Sequence, residues 1–181
     1  PDGRGAWMKR QGISLGETRD AEDFVLVGWD GRVLSGDGRR HGEWPLHTEV
    51  FRARPDLTHS LHSHPDYATL LTGDGSDLIK FTQDGLRLGD GALPFFTETA
   101  DLVTTPEGGA AVARALGESN IVMMRNHGCC VYGDSVAALA LTGVFLERAA
   151  RAFIRARSAG LSPRPPDQGD AVQVIGSLGN A

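Results

Sequence analysis

Between residues 24 and 34 two short apolar blocks, Phe24-Val25-Leu26-Val27-Gly28-Trp29 and Arg32-Val33-Leu34, flank Asp30-Gly31. An Asp-Gly pair tolerates the positive φ of a tight turn, so the pattern predicts a β-hairpin. Leu46, Val50 and Phe51 then recur at helical spacing behind Pro45, which suits a first turn, and Arg54-Pro55-Asp56 ends that helix. Thr58–His64 reads as a strand, and Pro65 opens a second short helix running through Leu71. Ile79–Thr82 gives a further strand signal, turned at Asp84-Gly85. Pro106–Leu116 reads as an Ala-rich helix stopped by Gly117. Asn120–Arg125 and Cys129–Tyr132 are apolar strand segments. Asp134 or Ser135 caps a long helix that reaches about Ala159, with Val136, Leu139, Ala140, Val144, Leu146, Ala150 and Phe153 as its apolar stripe. Arg148, Arg151, Arg155 and Arg157 sit on its later turns, where cations suit the helix dipole. Strands interleaved with helices predict an α/β fold, a mixed sheet covered by helices. One domain is expected over residues 1–158, with a loose tail, rich in Pro, Gly and Ser, over residues 159–181.

Composition narrows the function classes. The 181 residues are 40% hydrophobic and 23% charged, ordinary values for a globular chain. A net charge of −5 argues against a general binder of nucleic acid or anionic membrane. No stretch of 18 apolar residues is present to span a bilayer. The first residues lack the basic-then-apolar pattern of a signal peptide, and the absence of an initial Met reads as a trimmed or partial product. The two cysteines, Cys129 and Cys130, are adjacent, so no disulfide framework is expected. That usage fits a reducing, cytoplasmic setting. One cysteine is expected to be buried and the other to face away.

The chemistry concentrates in the histidines. Four of the six fall within His47–His64. In the strand reading, His62 and His64 point to the same face, with Cα atoms about 6.5–7 Å apart. Two imidazoles so placed can converge on one metal ion. His59 falls on the other face. Alone, the pair fits equally well two histidines satisfied inside a core. His127, in Asn126-His127-Gly128, lies on a turn between two apolar strands, where Gly128 lets the backbone bend. It too has two readings, a site residue or a turn histidine bonded to a carbonyl. Glu43, between Gly42 and Trp44, is either an acid stabilised at a helix N-terminus or a carboxylate whose apolar neighbour raises its pKa for general-base work.

Taken in order, Gly42-Glu43-Trp44-Pro45-Leu46-His47, Arg54-Pro55-Asp56, His62-Ser63-His64-Pro65, Asn126-His127-Gly128 and Leu146-Glu147-Arg148-Ala149-Ala150 resemble the class II aldolase/adducin family. Trp7-Met8-Lys9-Arg10-Gln11-Gly12 resembles the family's segment before its first hairpin. The resemblance covers residues 7–158.

It implies a three-layer α/β/α sandwich around a mainly antiparallel central sheet. It implies a divalent metal, zinc foremost with Mn, Fe, Co or Mg as alternatives, held by His62, His64 and His127. It implies Glu43 as a carboxylate that binds the metal at rest and becomes the acid/base, and homotetramers with the active site near a subunit interface. Tyr67, three residues beyond His64, is either a proton donor beside the metal or a packed aromatic. The activity implied is that of a carbon–carbon lyase, an aldolase or decarboxylase working through a metal-stabilised enolate. An epimerase or an iron-dependent oxygenase on the same site is an alternative. So is a non-enzymatic assembly module of the adducin type, against which the retained histidines and glutamate argue. The phosphate-using aldolases carry two Ser before the catalytic Glu, where this chain has His41 and Gly42. Their upstream Gly-Asn-x-Ser loop has no counterpart, and Lys9-Arg10-Gln11 stands in place of their Thr-rich loop. The expected substrate is therefore a small, non-phosphorylated hydroxy- or keto-acid, with Lys9, Arg10 and Gln11 as candidate binding residues.

Overall fold

The computed structural model describes residues 3–78, 80–167 and 169–173. The chain forms two compact units, one from residues 1–56 and 101–114, the other from residues 57–100 and 115–181.

The first unit carries a three-stranded antiparallel sheet in the order β1-β2-β3: β1 Gly5–Lys9, β2 Phe24–Gly28 and β3 Val33–Ser35. The hairpin expected at Asp30-Gly31 is present, with Gly31 at φ +80°. Its freedom is needed twice over, because a Cβ there would stand 2.6 Å from the Trp44 ring. Met8, Val25, Val27 and Trp44 form one buried cluster of this unit. Helix α1, Pro45–Ala53, begins on the predicted proline. Most of α4, Pro106–Leu116, also belongs here.

The second unit is built on a four-stranded sheet in the order β4-β7-β6-β5, from β4 His59–Ser63, β5 Phe95–Phe96, β6 Ile121–Met124 and β7 Gly128–Gly133. All pairings are antiparallel except β5 with β6. Helices α2 Asp66–Asp74, α3 Gln83–Leu86 and α5 Val136–Ser158 accompany it. Its core runs from Ala68 and Leu71 of α2, through Ile121, Met123, Cys129 and Val131 of the sheet, to Leu139, Leu146, Ala149, Ala150 and Phe153 of α5. Ser135 caps α5, its side chain accepting from the Ala138 N–H at 3.2 Å.

Three expectations change. The apolar stripe of α5 is narrower than its sequence: Val136 and Val144 are 70% and 50% exposed, and Ala140 is exposed too. Each step of four overshoots the 3.6-residue period by about 40°, which carries Val136, Ala140 and Val144 away from the face that Leu139, Leu146, Ala150 and Phe153 share. Second, Lys80–Thr82 form no strand; Ile79 lies outside the described residues. Thr82 instead caps α3, its Oγ1 accepting from the Gly85 N–H at 3.1 Å, so a helix start replaces the expected turn. Third, both cysteines are buried. Strand β7 lies between β4 and β6, and nearly all its residues are buried, so neither of its faces is open.

Of the expected tail, residues 161–167 have no regular structure, residues 169–173 are helical, and 168 and 174–181 lie outside the described residues. Among the described residues no helix is long and apolar enough to cross a membrane.

Candidate metal centre

Strand register brings the three histidines together. Pairing of β4 with β7 sets His62 opposite Cys130 and Ser63 opposite Cys129. Pairing of Met124 with Gly128 closes the β6–β7 hairpin around Arg125, Asn126 and His127, so His127 stands at its tip beside the end of β4. Asn126 takes the left-handed conformation the loop needs, φ 55°, which asparagine tolerates well. Its N–H bonds to the Thr72 carbonyl at 3.3 Å, tying the loop to α2.

Ring centroids lie 4.8 Å apart for His62 and His64, 5.0 Å for His62 and His127, and 4.9 Å for His64 and His127. One ligand nitrogen from each falls within 4.8 Å of the others. His62 Nε2 and His64 Nε2 are 3.1 Å apart. Two nitrogens bound tetrahedrally to one zinc ion at about 2.0–2.1 Å are about 3.3 Å apart, so the donor set fits a divalent ion. His62 Nδ1 lies 3.1 Å from the Cys129 carbonyl oxygen, which can only accept, so Nδ1 is the donor and the Nε2 lone pair is left toward His64. Cys130 Sγ lies 3.3 Å from the same Nδ1. His62 and His127 are half-buried and His64 is exposed. His59 is absent from the cluster, its Nδ1 lying 2.9 Å from Thr58 Oγ1.

The role of Gly128 differs from the expected backbone bend. Its φ is not among the positive ones. The glycine is required by close approach, because a Cβ there would collide with His64 Cδ2 and stand 2.5 Å from the Ser63 carbonyl oxygen.

The other sequence-derived candidates have surroundings of their own. Glu43, half-buried in the turn before α1, accepts the Val103 N–H on Oε1 at 3.0 Å. The neighbouring Trp44 is buried, with the Arg40 guanidinium 5.2 Å from its ring centre. Gly109 of α4 lies so near Pro45 that a Cβ would stand 2.6 Å from the Pro45 carbonyl oxygen, which fixes the base of this turn. Lys9 Nζ contacts the Ile13 carbonyl and lies 3.0 Å from His41 Nε2. Arg10 is committed to Asp23 at 3.1 Å. Gln11 is exposed, and its backbone N–H bonds to the Arg39 carbonyl at 2.7 Å. Tyr67 sits on the first turn of α2, with the Arg155 guanidinium 6.0 Å from its ring centre.

The start of α2, next to His64, is held by a residue to which the sequence assigns no role. Glu147 of α5 accepts the Tyr67 N–H, 3.1 Å to Oε1 and 3.0 Å to Oε2, and the Ala68 N–H, 2.9 Å to Oε2.

Residues 1–154 match the Class II Aldolase and Adducin N-terminal domain. The chain belongs to this family. It is 32% identical over 150 residues to 3,4-dihydroxyphthalate decarboxylase of Arthrobacter keyseri, covering 78% of this chain and 60% of that protein. It is 30% identical over 131 residues to methylthioribulose-1-phosphate dehydratase of an Exiguobacterium strain, covering 66% of this chain and 62% of that protein. These relatives are enzymes, and the chain spans about 60% of their length. Among solved structures, an L-fuculose 1-phosphate aldolase superposes with a TM-score of 0.79 at 20% identity, over 95% of this chain and 79% of that one. The expected α/β fold is therefore that of the class II aldolases.

Proposed function

We propose that this chain carries the active site of a metal-dependent carbon–carbon lyase of the decarboxylase type. Its substrate class is a small, non-phosphorylated hydroxy- or keto-acid. The observation that carries the reading is the convergence of His62, His64 and His127, with ligand nitrogens within 4.8 Å of one another. Three neutral imidazoles would hold a divalent ion, zinc foremost, and leave its full double charge as a Lewis acid for an adjacent pair of substrate oxygens. The likeness to a dihydroxyphthalate decarboxylase supports an aromatic hydroxy-acid as the first substrate class to try.

The chain's own residues do the rest of the work. Glu43 moves the proton, held in orientation by the Val103 N–H. Tyr67 is the second proton carrier, on the helix that comes after His64. Lys9 and Gln11 orient the substrate carboxylate, and Arg10, fixed by Asp23, holds the loop that presents them. Residues 1–158 act as one catalytic domain, in a cytoplasmic homotetramer.

The test is a comparison of substrates on the metal-loaded protein. Release of carbon dioxide or aldehyde from hydroxylated aromatic acids and keto-acids is measured against cleavage or dehydration of sugar phosphates. The reading expects the higher kcat/KM for the unphosphorylated acids. A preference for the phosphates of tenfold or more, about 1.4 kcal/mol, overturns it.

A further inference from the structure

Helix α2 begins two residues after His64, and its N-terminus has no cap of its own. The N-cap position is Pro65, which has no side-chain acceptor to offer. The Tyr67 and Ala68 N–H groups are those that a Ser, Thr or Asp cap would otherwise satisfy. They are taken instead by Glu147, 80 residues further along the chain, at 2.9–3.1 Å.

We infer that Glu147 is a positioning residue of the metal centre: by anchoring the start of α2 to α5 it fixes His64 against His62 and His127. The inference rests on the reading of the three histidines as a divalent-metal site. The His64 ring is exposed on one side and abuts Gly128 on the other. The backbone beyond His64 is restrained first by Pro65 with its fixed φ and then by the turn that Glu147 grips. The same grip sets the backbone of Tyr67.

The experiment titrates Co(II) into the chain of residues 1–181 and reads affinity and the visible d–d spectrum, for wild type, Glu147→Gln and Arg148→Ala. Arg148 is the control. It is the next residue of α5 but pairs with Asp84 of α3 at 3.0 Å. Glu147→Gln is expected to weaken Co(II) binding about 10–100-fold and to alter the spectrum, as loss of a residue supporting a ligand does. Arg148→Ala should stay within about twofold of wild type. If Glu147→Gln fails to fold, Glu147→Asp, which keeps the charge and retracts it by one methylene, is measured in the same way. Amide exchange at Tyr67 and Ala68 in wild type is the second readout, and Co(II) should slow it. Wild-type affinity and spectrum in the Glu147 variant, equal losses in both variants, or exchange indifferent to Co(II) would each overturn the positioning role alone. No binding by wild type would overturn the metal reading and this inference with it.

Discussion

The ring of His64 occupies the space that a side chain at position 128 would need. A Cβ on Gly128 would meet His64 Cδ2 and the Ser63 carbonyl oxygen, and the latter belongs to backbone already paired in the β4–β7 ladder. The strand cannot retreat without breaking that ladder, so the ring must move. Gly128→Ala is expected to cost about 1–3 kcal/mol of stability. It should also weaken divalent-metal binding by about 10–100-fold. Thermal unfolding with and without metal checks both, since a well-bound ion raises Tm in wild type and should raise it far less in the variant.

Glu43→Gln should keep the fold and most of the metal and reduce kcat by about 10²–10⁴-fold on any substrate identified. The amide oxygen of Gln can still accept the Val103 N–H, so the turn before α1 keeps its shape while the proton carrier is lost. Steady-state kinetics on acid substrates checks it. A variant turning over at the wild-type rate removes Glu43 from the mechanism.

The residues of the site differ in how far the sequence discloses them. The same-face placement of His62 and His64 comes from the two-residue period of a strand, a local property that any strand reading carries. His127 is legible only through motif order, because what brings it to β4 is the register of β7, a long-range pairing. Glu147 stands in the family-like segment Leu146–Ala150, but its role is not legible there, because its cap acts on N–H groups about 80 residues away. Gly128 stands out as a glycine, but its reason, a neighbouring ring, is visible only once β4 and β7 are side by side. Of the strand expected over Ile79–Thr82, the described residues Lys80–Thr82 form none, because Thr82 is taken up as a helix cap. The stripe of α5 is misjudged at Val136, Ala140 and Val144 because apolar residues beside the buried face mimic a wider one.

Acid should loosen the first unit through Asp23. Its carboxyl is held below its ordinary value of 3.8 chiefly by the Arg19 N–H, with Arg10 adding to the effect and desolvation opposing it. A depressed carboxyl contributes stability that is complete above the unfolded value and is lost as pH falls through the folded one. The Tm deficit of Asp23→Asn relative to wild type should therefore be constant above about pH 5 and close below about pH 4. A deficit independent of pH down to about 2 would show that Asp23 acts without its charge.

Gly31→Ala should destabilise the first unit by about 1–3 kcal/mol, combining a positive φ with overpacking against the buried Trp44 ring. Urea denaturation followed by tryptophan fluorescence checks it, with an unchanged m-value marking a native-state effect.

The central claim is that His62, His64 and His127 hold one divalent ion. Elemental analysis of purified wild type beside His62→Ala tests it most directly. The account predicts close to one ion per chain in wild type and a loss of most of it in the variant. Equal metal content in the two proteins would contradict it.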